Sequence, residues 1–89
     1  MFKEEQDVCQ CWGQLDFDIK WKVLSTIDQC IARKYSTSSI NAIMENDFGD
    51  ICKDFDRLMK WIIPQKKVHV SAGYKTLFFV PAIRPSSIL

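Results

Sequence analysis

The sequence predicts an α+β fold: a small helical bundle followed by a C-terminal β-hairpin. Three observations lead there. Phe48, Ile51, Cys52, Phe55, Leu58, Met59 and Ile62 recur at steps of three and four, the spacing of one helix face. Past Pro64 the pattern changes, and two runs rich in β-branched and aromatic residues, 66–71 and 75–80, flank Ala72-Gly73. The chain has 89 residues, room for one domain. The expected division is a globular domain over 1–82 and a short tail over 83–89.

Residues 2–12 are weakly helical, with Val8, Cys11, Trp12 and Leu15 at helical spacing and Gly13 breaking the run. Residues 15–24 carry two patterns. Leu15, Phe17, Ile19, Trp21 and Val23 alternate with charged residues, as in a half-buried strand. Ile19, Val23, Ile27, Cys30 and Ile31 also form a helical stripe, and Asp16 or Asp18 would cap its start. One helix from about Asp18 to Lys34 is preferred, because the stripe runs through both segments; the strand stays open. Residues 36–39, Ser-Thr-Ser-Ser, make a turn and a cap. A short helix follows on Ile40, Ile43 and Met44, and Glu45-Asn46-Asp47 reads as a break. The long helix of residues 48–62 ends at Pro64, since the residue before a proline avoids the α region. Gly73 then supplies a positive φ at the hairpin tip.

Helix, short helix, long helix and hairpin is an order that resembles the winged-helix family over residues 18–81. The resemblance places the long helix where that family has its recognition helix and the hairpin where it has its wing. It implies DNA binding through the helix. The exposed face of that helix, however, carries Asp47, Asp50, Asp54 and Asp56, and carboxylates facing phosphates are repelled. A protein-docking relative of such folds is the better match.

Charge is unevenly distributed. Residues 1–56 hold all eleven acids against six bases, a net of −5, whereas residues 57–89 hold six bases and no acid. A basic end attracts phosphate or an acidic protein surface, or it is a solvated strand edge. The nucleic-acid alternative therefore rests on Lys66, Lys67, His69, Lys75 and Arg84.

Chemistry is not indicated. No phosphate loop, dinucleotide fingerprint or zinc-protease motif occurs, and His69 stands alone among lysines. Asp54 and Asp56 point to different sides of a helix and make no acid/base pair. Cys9, Cys11, Cys30 and Cys52 lack the paired spacing of a zinc site, so reduced and mostly buried thiols are expected. Neither metal nor cofactor is implied, and the chain is expected to be no enzyme. The polar start, without a secretory signal, and the lack of a long apolar run predict an intracellular protein outside the membrane.

Three tryptophans, Trp12, Trp21 and Trp61, are a heavy load for so short a chain. Core packing is their plain role, and interface anchoring the functional one. Trp61 lies one residue off the stripe of its helix. Phe78 and Phe79, adjacent on a strand, would point to opposite faces. The expected function is a non-catalytic adaptor or inhibitor, of the kind small viral or phage accessory proteins often are. It docks a protein partner through Trp61, Phe78, Tyr74, Arg57 and Lys60. Nucleic acid is the alternative partner, and homo-oligomerisation a third outcome.

Overall fold

In the computed structural model, which describes residues 3–81, four helices follow one another: α1 (Lys3–Gln14), α2 (Phe17–Ala32), α3 (Thr37–Phe48) and α4 (Phe55–Ser71). A single 3-10 turn, Thr76–Phe78, comes last. No strand occurs among the described residues. The fold is all-α, and the expected α+β class and C-terminal hairpin are corrected. The winged-helix resemblance falls with them, because there is no wing. The tail over 83–89 lies outside the described residues, and so does Arg84.

The error lies at Pro64, which sits inside α4 and does not end it. A proline in a helix interior removes one backbone hydrogen bond and crowds the preceding turn, a cost of about 3 kcal/mol. Two features offset it. The Gln65 amide Nε2 donates to the Trp61 carbonyl at 2.8 Å, supplying a donor in the disturbed turn. The buried stripe also continues across the proline, through Ile62 and Ile63 to Lys66. The residues taken for the first strand are thus the last turns of a helix.

Gly73 does take a positive φ, 85°, but as a helix terminator. Its N–H donates to Val70 and that of Tyr74 to His69, the paired bonds of a Schellman cap. The end of α2 is built alike. Lys34 takes the positive φ, 61°, and the N–H groups of Lys34 and Tyr35 donate to Ile31 and Cys30.

The helical alternative for residues 15–24 holds, with α2 starting one residue earlier than expected and Asp16 as its N-cap. Ser36 caps α3 by accepting from the Ser39 N–H at 3.2 Å. Two breaks move. Gly13 lies within α1, and α3 runs through Glu45-Asn46-Asp47 to Phe48, so the break falls at 49–54.

Ile27, Ile40, Met44, Leu58 and Ile62, from α2, α3 and α4, are wholly excluded from solvent and form the centre of the core. Val8 and Trp12 attach α1 to it. Both α2 and α4 advance in the same direction. Trp21 and Leu24 share a cleft with Trp61, and further along both helices Asp28 pairs with Lys66. No described helix is long and apolar enough to cross a membrane.

Candidate functional site: an aromatic cleft

The described tryptophans converge. Trp12 from α1, Trp21 from α2 and Trp61 from α4 line one cleft of about 370 Å³, closed on its far side by the segment after α4. Their sequence positions are unrelated, and only the docking of three helices brings them together. Trp12 is buried, Trp61 half-buried, and Trp21 exposed over 42% of its surface. Phe17, Leu77 and Val80, each more than half exposed, stand around the same opening. Apolar area left in water at one place is unfavourable by roughly 25 cal/mol per Å², the gain available to an occupant. Among the described residues, Lys20 is the one charged residue of the lining, with its ammonium 3.5 Å from the Gly13 carbonyl.

The far wall is held by a buried lysine. Lys66 is completely enclosed, and its ammonium lies 2.6 Å from Asp28 Oδ1. That oxygen has no aligned hydrogen-bond donor, so the contact is one of charge. The ammonium donates to Thr76 Oγ1 at 2.9 Å and lies 5.1 Å from the centre of the Phe79 ring. A buried charge requires such partners. The consequence is that α2, α4 and the segment carrying Leu77, Phe79 and Val80 meet at a single amine.

His69 fastens the other side of that segment. Its Nε2 lies 2.8 Å from the Lys75 carbonyl oxygen, which can only accept, so this nitrogen carries a proton. The ring stacks on Tyr74 and meets the edge of Phe79. A second, shallower groove beside it is lined by Pro64, Val68, His69, Tyr74, Phe79 and Val80.

The expected anchors therefore separate. Trp61 lines the cleft. Tyr74 belongs to the second groove, and Phe78 is exposed outside both linings. Phe78 and Phe79 do differ in exposure, although Phe78 ends a 3-10 turn and Phe79 follows it, neither being on a strand. Arg57 and Lys60 lie on the outer face of α4, paired with Asp54 at 4.0 Å and Asp56 at 3.1 Å. Such exposed pairs contribute little to stability.

The basic residues proposed for phosphate separate as well. Lys66 is inside the protein, Lys67 donates to Thr37 Oγ1, and His69 is engaged with Lys75. No group of residues that could hold a metal ion occurs among the described residues.

Sequence reasoning missed Asp28, Phe17 and Leu77. A signal for Asp28 existed: extending the α4 stripe beyond Pro64 puts Lys66 on the core face, and a buried lysine needs an acid. Phe17 and Leu77 had no such signal, because their role depends on how the helices pack.

The cysteines divide: Cys30 meets the expectation of a reduced, buried thiol, whereas Cys11 and Cys52 do not. Cys30 is a buried free thiol whose pKa is raised, chiefly by burial, with Asp47 adding to the rise and Arg33 opposing it. Cys11 and Cys52, expected as reduced thiols, are joined in a disulfide between α1 and the segment before α4.

Comparison with family models, with curated proteins and with solved structures finds no significant match. The functional reading rests on the cleft alone.

Proposed function

We propose that the protein is a non-catalytic docking module that receives an apolar segment of a partner protein in the Trp12–Trp21–Trp61 cleft. One observation carries the reading: exposed Phe17, Leu77 and Val80 gather around a cleft already lined by three indoles. Tryptophan-rich pockets with an open apolar rim are where binding hot spots concentrate. Lys20 on the lining favours a partner whose apolar residues are flanked by Asp or Glu. An adaptor or inhibitor acting inside the cell fits this reading. Phosphate binding by the basic C-terminal half has less support, because Lys66 is internal and Lys67 is engaged with Thr37.

The test is a peptide-display selection on the immobilised chain, read against Leu77→Asp. Selected peptides should share two or three large apolar residues next to an acid. They should bind Leu77→Asp about 30-fold more weakly, the scale of one hot-spot residue. Peptides that bind Leu77→Asp as well as the parent chain would remove the cleft as the docking site.

A further inference from the structure

The disulfide and the cleft share a helix. Cys11 is bonded to Cys52, and the next residue, Trp12, is the α1 wall of the cleft. Among the described side chains of α1, only Val8 and Trp12 are buried in the core. A twelve-residue helix is marginal without tertiary support. The bond adds a covalent tie to the Val8 and Trp12 packing that holds α1.

Its surroundings differ from those of Cys30. Cys11 and Cys52 are half-buried and line an open crevice of about 550 Å³ with Gln10, Gln14, Lys53 and Asp54. A small thiol or disulfide can enter it. Lys53 and Asp54, of opposite charge, both stand at its lining. Cys30 is buried, and its raised pKa keeps it a thiol.

We propose that Cys11 and Cys52 form a reversible redox clasp that fixes α1, and with it the Trp12 wall, to the rest of the protein. Its effect on binding rests on the docking reading of the cleft. The oxidant is a low-molecular-weight disulfide such as glutathione disulfide. One cysteine thiolate attacks it, forms a mixed disulfide and expels one glutathione thiolate. The second cysteine thiolate attacks the protein-side sulfur and expels the other. Two electrons pass from the cysteine pair to the small disulfide, and the two protons end on two glutathione thiols. In the reduced form α1 is released and the cleft loses one wall. In the oxidised form the cleft is complete.

The experiment equilibrates the full chain in glutathione buffers from reducing to oxidising. It follows linked cysteines by peptide mapping, amide exchange by mass spectrometry, and binding of one peptide from the selection above. The clasp predicts a Cys11–Cys52 link. On reduction, exchange over 3–14 should rise at least tenfold while α2 and α4 keep their protection. Peptide affinity should fall at least tenfold. Cys52→Ser should behave as the reduced form, and the wild-type titration decides the matter if that variant does not fold. A Cys9–Cys52 link, or α1 exchange unaffected by reduction, overturns the proposal. So does loss of protection in every helix together, since the bond would then be a staple for the whole fold. A redox-dependent α1 with no peptide bound in either form upholds the clasp and removes the docking reading.

Discussion

Two regions of this small protein use apolar residues in opposite ways. Between α2, α3 and α4, the side chains of Ile27, Ile40, Met44, Leu58 and Ile62 are completely shielded from water. Between α1, α2 and the 76–81 segment, the residues are larger and the packing stops short, leaving Phe17, Leu77 and Val80 exposed around a cleft. The first region uses aliphatic residues that interlock and define the fold. The second sets buried Trp12 and half-buried Trp61 beside Phe17, Leu77 and Val80, which stay exposed to water. Both regions are apolar; the share of aromatic residues and the degree of closure distinguish them.

The sharpest way to break the comparison is at the amine joining the two regions. Lys66→Met leaves Asp28 without its partner, and Asp28 is 29% exposed, so water relieves part of the penalty. A loss of about 3 kcal/mol is expected by urea denaturation, the lower end for breaking a buried pair. Adding Asp28→Leu should restore most of it. If the double variant is no more stable than the single one, charge pairing is not what holds the segment.

A second test sets one residue from each region side by side. Ile62→Ala should cost about 2–5 kcal/mol, because it opens a cavity in the closed core. Leu77→Ser should stay within about 0.5 kcal/mol, as a surface change does. Equal losses would mean that the exposed rim contributes to the fold and is not held free for a partner.

The smallest effect lies at the end of α2, where Lys34 does with a side chain what Gly73 does without one at the end of α4. Lys34→Gly should raise stability by about 0.5–1 kcal/mol by relieving the left-handed backbone, seen as a higher denaturant midpoint at unchanged slope. No change would show that Lys34 gains from its position as much as it loses in backbone strain.

Much of the helical layout was legible in the residues. The stripes of α2 and α4 named Val23, Ile27, Cys30, Leu58, Met59 and Ile62, and all six are buried. What misled was punctuation. Proline before a β-rich run and glycine between two such runs are sound hairpin signals, yet each also has a helical use. Pro64 is carried by core burial on both sides of it, and Gly73 closes a Schellman cap. Local preference was outweighed by tertiary packing, which no window around Pro64 contains. The cleft was half legible. Trp61 stood out because it is displaced from its stripe, but its meeting with Trp12 and Trp21 is a property of helix docking. The Cys11–Cys52 bond was hidden for the same reason, since 41 residues separate the two sulfurs along the chain.

One consequence of the convergence of Trp12, Trp21 and Trp61 is optical. These are all the tryptophans in the sequence, and each of them lines the cleft. Indole emission from this protein therefore comes from a single neighbourhood. A shift in its colour, or protection from a dissolved quencher, reports whether that neighbourhood is filled, and the molecule carries this label without any dye attached.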